Sequence, residues 1–242
     1  MSEAGLIFVR SRIYNADKLS PELFAKWYDE VHVRDILSTG GIKTAIRWES
    51  TDDAAECPYL TLYAMEDLQF LRDARVKAIP VHNEILPGPT HYIWDFVVFD
   101  ARVYAHVQTY EPEGTKPGPG DLLMYYAVTP APGTEDDYDA FYRQEHCKEL
   151  AKCTGYRRTR RYKLQYKVPQ PPAEQSTLPP IGSADPPIYL VLHEFDGQML
   201  PQKELEATTE TRWAKRVVGG LVKMEAGVFK LLRAVGEMEN RF

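Results

Sequence analysis

The chain contains one supersecondary plan twice, and this constrains its fold more than any other feature. Trp27-Tyr28-Asp29-Glu30-Val31-His32 is followed by Gly41 and then by Ile42 to Trp48. Phe141-Tyr142-Arg143-Gln144-Glu145-His146 is followed by Gly155 and then by Tyr156 to Tyr162. The offset is 114 residues throughout, from His32 to His146, Gly41 to Gly155 and Arg47 to Arg161. A fixed internal period means one unit built twice, with each copy burying its apolar face.

Each unit reads as βαββαβ, the ferredoxin-like order. In the first, Leu6 to Val9 is a short apolar strand. A helix starts at Ser20-Pro21, where Ser20 suits the N-cap and the missing Pro21 N–H costs nothing. Phe24, Trp27, Val31 and Asp35 are expected on one helical face, with Tyr28 and His32 beside them. Gly40-Gly41 ends the helix. Strands follow at 42–50 and 59–63, then a helix at 66–79 and a strong strand at 92–99 with an expected continuation into 103–110. In the second unit a strand starts at Leu122, a helix at Thr134 (with Asp137 as a capping-box-like partner), and a strand spans Tyr156 to Gln165. Tyr189 to His193 matches Tyr59 to Tyr63 at an offset of 130, which locates an insertion between strands two and three. A helix over 202–216 and a strand over 228–235 complete the unit. The expected division is an N-terminal repeat over 1–110, a Pro/Gly-rich linker over 111–121, and a C-terminal repeat over 122–242 carrying a Pro-rich loop at about 165–187. The fold class is therefore α+β: two tandem ferredoxin-like repeats packed sheet to sheet, with helices outside, as an intrachain α/β barrel.

Composition narrows the function classes. A net charge of −6 and a pI near 5.6 argue against nucleic acid as the main partner. Cys57, Cys147 and Cys153 form no CxxC pair, which suits a reducing compartment. Met1 to Gly5 shows no signal-peptide pattern, and no apolar run has the length of a membrane span, so a cytoplasmic protein is expected. His82, His91 and His106 lack metal-site spacing and read as ordinary loop or strand histidines. There is no GxGxxG, P-loop or GxSxG, so no nucleotide cofactor is expected.

The strings WYDEVHVRDIL…GGIKTAIRW and FYRQEHCKELAKCTGYRRTRRYKL, with PPIYLVLHEFD, resemble the EthD-like branch of the dimeric α/β-barrel superfamily. The shared features are an aromatic-Tyr pair on the first helix, a His four residues after the Tyr, then a Gly and an Arg-bearing strand. The superfamily includes cofactor-free oxygenases, isomerases, polyketide cyclases and haem proteins, so the resemblance implies a fold and leaves the chemistry open.

The candidate chemistry follows the repeat. Tyr142, His146 and Glu149 sit at i, i+4 and i+7, as do Tyr28, His32 and Asp35. His can exchange a proton near neutral pH, a carboxylate can fix its tautomer, and a phenol can donate to a developing oxyanion. The same line is also compatible with a satisfied hydrogen-bond network at a core edge. Tyr63 and its equivalent His193 should lie below the helices, either in a shared cavity or as barrel packing. Arg47 and Arg161 read as structural or substrate-orienting partners of the helix acids, and one face of the Arg157 to Arg161 run should be solvated.

The leading expectation is a cofactor-independent enzyme acting on a small aromatic or polyketide-like molecule by cyclisation, dehydration, isomerisation or decarboxylation. His146 would be the acid/base, Glu149 its orienter, Tyr142 the carbonyl polariser and Arg161 the holder of an acidic group. His32, Tyr28 and Asp35 would form a second site or a relic of duplication. The alternatives are a haem protein ligated by His193, a cofactor-free oxygenase, and a non-catalytic binding or stress-response protein. Exposed sheet edges would leave a homodimer open.

Overall fold

A computed structural model describes residues 3–169 and 181–238. Eight strands form a closed barrel in the order β1-β3-β2-β8-β5-β7-β6-β4. The strands are β1 (Gly5–Ile13), β2 (Thr44–Ser50), β3 (Tyr59–Met65), β4 (Val97–Tyr110), β5 (Leu122–Pro130), β6 (Tyr156–Lys167), β7 (Tyr189–Phe195) and β8 (Leu221–Gly236). Every neighbouring pair is antiparallel. Each repeat supplies four adjacent strands, and the last strand of each reaches across to the other repeat. Val97 to Ala105 lies on β1, while Arg102 to Tyr110 lies on β6. Leu221 to Lys230 lies on β5, while Phe229 to Gly236 lies on β2. That length carries β4 through the expected run-on to Tyr110, although it starts only at Val97 because Ile93–Asp95 is a 3₁₀ turn, and it makes β8 outrun the expected 228–235. Closure leaves none of the eight strands with an open edge, so edge pairing is not available to a second copy through them.

Strand alternation sends one set of side chains inward. Leu6, Phe8, Ile46, Trp48, Leu60, Leu62, Tyr104, Leu123, Tyr125, Tyr162, Leu190 and Phe229 fill the barrel. Truncating a buried aromatic such as Phe8 to Ala would cost about 3–5 kcal/mol. Ion pairs close both barrel ends. Asp100 lies between Arg10 and Arg102, with Glu225 alongside, at one end. Arg158 and Arg160 share Glu194 at the other. The expectation of a solvated arginine face is therefore corrected: Arg157, Arg158, Arg160 and Arg161 are all buried, because both faces of β6 are covered.

Outside the barrel lie α1 (Pro21–Trp27), α2 (Val33–Ser38), α3 (Ala74–Lys77), α4 (Glu135–Phe141), α5 (Cys147–Leu150), α6 (Gln202–Thr208) and α7 (Arg212–Gly219). The Ser20 side chain caps α1 by accepting from the Leu23 N–H, as expected. The Thr134 capping box is not formed. Asp137 is taken by Trp213 Nε1 and Arg216 on α7, and the Thr134 hydroxyl donates to the Ala131 carbonyl. The expected helix at 66–79 is a 3₁₀ turn over Leu68–Arg72 followed by α3, and that at 202–216 is α6 plus α7. Part of the Pro-rich loop expected at 165–187 lies outside the described residues.

Candidate active site

The first helix of each repeat is interrupted by one π turn. Tyr28–His32 joins α1 to α2, and Tyr142–His146 joins α4 to α5. The Val33 N–H bonds to the Tyr28 carbonyl, and that of Cys147 to Tyr142, both five residues back. One extra residue shifts the helical phase by about 100°, and such turns are frequent at functional sites. Phe24, Trp27 and Tyr28 are buried before the turn, and Val33 and Ile36 after it. Val31 and Asp35, expected on that face, are only half-buried. The second copy behaves alike, with Tyr138, Phe141 and Tyr142 followed by His146, Cys147 and Leu150. The turn leaves a trace in the sequence, a five-residue step from Tyr28 to Val33 and from Tyr142 to Cys147 where a helix would step by three or four.

This phase shift removes the helix acids from the site. Glu149 binds Lys152 on the surface at 2.6 Å, rather than His146. His146 Nδ1 and His32 Nδ1 are buried with no hydrogen-bond partner. The arginines are corrected as well. Arg161 pairs with Asp139 at 2.9 Å and Gln108 at 2.7 Å, and Arg47 pairs with Asp29 at 2.7 Å. Each guanidinium lies under a tyrosine ring, Arg47 at 4.5 Å from the Tyr28 centroid and Arg161 at 4.4 Å from that of Tyr142. Neither arginine lines the C-terminal or the N-terminal cavity described below, so neither is placed to hold an acidic group of a substrate bound there.

The remaining sequence candidates converge. Tyr142, His146 and His193 line a cavity of about 250 Å³ in the C-terminal repeat, walled by Met124, Val128, Phe141 and Val217. Val218 and Met224, both exposed, make an apolar rim. His146 stacks on Phe141 at 4.8 Å and meets His193 edge to face at 6.0 Å. In the N-terminal repeat Tyr28, His32 and Tyr63 line a cavity of about 310 Å³ with Trp27, Trp94 and Phe99. There His32 stacks on Trp27 at 4.8 Å, and the Tyr63 hydroxyl donates to that of Tyr28 at 3.0 Å.

Burial sets the protonation states. Desolvation, with help from Arg161, pulls His146 down to about 4 against a small opposing pull from Glu149. Desolvation and Arg47 bring His32 to about 4 too. His193 is pulled well below its ordinary value by desolvation, by His146 and by Arg161. Burial raises Tyr28, and raises Tyr142 and Tyr63 well above the usual phenol value. Near neutral pH each cavity floor thus carries neutral imidazole and neutral phenol in apolar walls. Such a floor can accept a proton and donate hydrogen bonds where a negative charge develops on a ligand.

His193, the residue proposed from the sequence as a haem ligand, packs among the rings of Tyr126, Tyr142 and His146, with Nδ1 against Thr159 Oγ1. Among the described residues no group of three or more His, Cys, Asp or Glu is placed to hold a metal ion. No helix there is long and apolar enough to cross a membrane. Sequence reasoning missed Thr159 and Asp139: one sat inside an arginine run, the other on an apparently solvated helix.

No family model matches the chain. Core atranone cluster protein 1 of Stachybotrys chlorohalonatus is 25% identical over 194 residues, 79% of this chain and 82% of that protein. Among solved structures, an anthrone oxidase-like protein superposes with a TM-score of 0.57 at 13% identity, covering 98% of this chain and 95% of its own. A chlorite dismutase variant from Candidatus Nitrospira defluvii gives 0.58 at 8% identity, covering 96% and 92%. These likenesses show the dimeric α/β-barrel fold, here closed within one chain.

Proposed function

We propose that the protein is an enzyme of small-molecule metabolism that performs proton-transfer chemistry on a planar aromatic or polyketide-like substrate in its C-terminal cavity. The observation that carries this reading is the pairing of two buried neutral imidazoles, His146 and His193, with Tyr142 on the floor of an otherwise apolar pocket. His146 is the general base. Its low proton affinity in the empty cavity rises when the substrate becomes an anion beside it, because the ion pair replaces lost hydration. Tyr142 stays protonated and donates to the developing oxyanion. The likeness to a core atranone cluster protein supports a role in small-molecule metabolism, and the aromatic-Tyr-x₃-His helix supports an EthD-like assignment.

Incubation with a panel of anthrones and hydroxyaryl ketones, followed by mass spectrometry of products, tests the proposal. Turnover should fall at least 100-fold in His146→Ala with the melting temperature kept within a few degrees. Full activity in that variant would remove His146 from the mechanism. A second reading is favoured by the likeness to an anthrone oxidase-like structure: the carbanion formed by His146 reacts directly with dioxygen. An oxygen electrode separates the two, since only oxygenation consumes dioxygen in step with substrate.

A further inference from the structure

The C-terminal cavity has a hydrogen-bond chain beneath it that the N-terminal cavity lacks. The Tyr156 hydroxyl donates to Thr159 Oγ1 at 2.7 Å, and Thr159 Oγ1 lies 2.8 Å from His193 Nδ1. Thr159 is fully buried and His193 nearly so, which makes an unmade bond between them costly. A hydroxyl has one proton. With Thr159 already accepting from Tyr156, that proton is available to His193 Nδ1, which then accepts. The neutral ring must in that case carry its own proton on Nε2, as the bond at one ring nitrogen fixes the state of the other. The equivalents of Tyr156, Thr159 and His193 in the first repeat are Ile42, Ala45 and Tyr63, which cannot build this chain.

His146 differs from its neighbour. Its Nδ1 has no hydrogen-bond partner, so no bond at that nitrogen fixes its tautomer. One imidazole of the pair is locked and the other is free, and they face each other at 6.0 Å. A locked N–H suits a fixed donor, whereas an unlocked ring suits a group that takes up and returns a proton.

We propose that Tyr156 and Thr159 are positioning residues that hold His193 as an Nε2–H donor, and that the substrate is an enolisable ketone whose carbonyl oxygen accepts from His193 while His146 removes the proton on the adjacent carbon. In this step the C–H bond breaks and its electron pair forms the carbon–carbon double bond of the enolate. The carbonyl π pair moves to oxygen, which stays hydrogen-bonded to His193, and the proton resides on His146. Returning it to oxygen, or to another carbon of a conjugated enolate, completes an isomerisation without any redox partner, and returning it to the same carbon gives proton exchange. The inference rests on the acid/base reading of this cavity given above.

Two measurements on the full chain test it. Nitrogen-15 NMR of histidine-labelled protein reads the tautomer without any substrate. His193 should show a protonated Nε2 and an accepting Nδ1, Thr159→Val should give a mixture, and Thr159→Ser should restore the native pattern. Proton exchange at the α-carbon of 2-tetralone in deuterated buffer, followed by proton NMR, reads the chemistry. We expect Thr159→Val to lower kcat roughly tenfold with little change in KM, the scale of one neutral hydrogen bond, with recovery in Thr159→Ser. A protonated Nδ1 on His193 in the native protein overturns the proposal. The expected tautomer with undiminished exchange in Thr159→Val overturns the positioning role alone, leaving acid/base catalysis intact. The expected tautomer with no exchange by the native protein overturns the ketone assignment.

Discussion

Two buried histidines, His146 and His193, and a half-buried third, His32, make this protein sensitive to acid in a way that can be worked out in advance. His146 has an ordinary value of 6.5 and is held at about 4 in the native state by burial and Arg161. As pH falls below 6.5 the unfolded chain binds a proton at this site, and the native chain does not until about pH 4. Its contribution to stability is therefore whole above pH 6.5 and is lost as pH falls from 6.5 to 4. The loss is about 2 kcal/mol between pH 7 and 5, and about 3 kcal/mol once both states are protonated. His32 adds a similar amount and His193 acts in the same direction. His146 and His32 together give a slope of about 2.4 kcal/mol per pH unit near pH 5, and His193 steepens it further. Urea unfolding at pH 7, 6 and 5 measures this, and His146→Phe isolates one site, because Phe can keep the stack on Phe141 but binds no proton. Whatever the stability difference between the two proteins at pH 7, it should move by about 2 kcal/mol in favour of the variant on going to pH 5. A difference between the two proteins that stays constant with pH would refute the claim that His146 is buried in its neutral form.

Other outcomes follow from the geometry. Asp100 is fully buried between Arg10 and Arg102, so Asp100→Asn should destabilise by about 3 kcal/mol or more in chemical denaturation, since it strands two buried guanidinium groups beside Glu225 alone. Gly155 has φ +77° and a Cβ there would lie 2.3 Å from the Asp196 carbonyl oxygen, so Gly155→Ala should cost about 1–3 kcal/mol by thermal melting. Val218→Lys with Met224→Lys places charge on the exposed apolar rim of the C-terminal cavity; titration with an apolar fluorophore should show weakened binding there, with stability altered by less than about 0.5 kcal/mol per site.

The barrel was legible in the sequence because the repeat fixed the number of strands and their order before any residue was assigned to one. Ser20-Pro21, Gly41 and the paired strings at 59–63 and 189–193 marked most element boundaries by local chemistry alone. The site was half legible. Tyr142, His146 and His193 do meet in one cavity, as Tyr28, His32 and Tyr63 do in the other. Their acids were misplaced because a regular helix puts Asp35 and Glu149 on the Tyr–His face, and the π turn takes them off it. The arginine run was misread for a different reason. Charge on a strand looks solvated unless the partners are known, and Glu194, Glu111, Asp196 and Asp139 come from elements far away in the chain.

Comparing the copies shows which parts of the plan were kept and which diverged. Both retain the π turn, a histidine stacked on the preceding aromatic, and an arginine beneath the tyrosine. The acid that neutralises this arginine does not occupy equivalent positions. Asp29 follows Tyr28 by one residue, where the second copy has Arg143, whereas Asp139 precedes Tyr142 by three, where the first copy has Ala25. A buried guanidinium without a carboxylate would be costly, so each copy retains one although its position differs. The arginine and its acid thus behave as a structural requirement of the tyrosine-bearing turn. The polar floor was under no such constraint: a Tyr63–Tyr28 hydroxyl pair stands in one cavity where His193, Thr159 and Tyr156 stand in the other. Cavity-facing groups that differ between the copies, on a scaffold whose buried charges are still balanced, are what two pockets with different ligands require. On the proposed reading, the C-terminal pocket is the one suited to proton transfer, because it holds two imidazoles, His146 and His193.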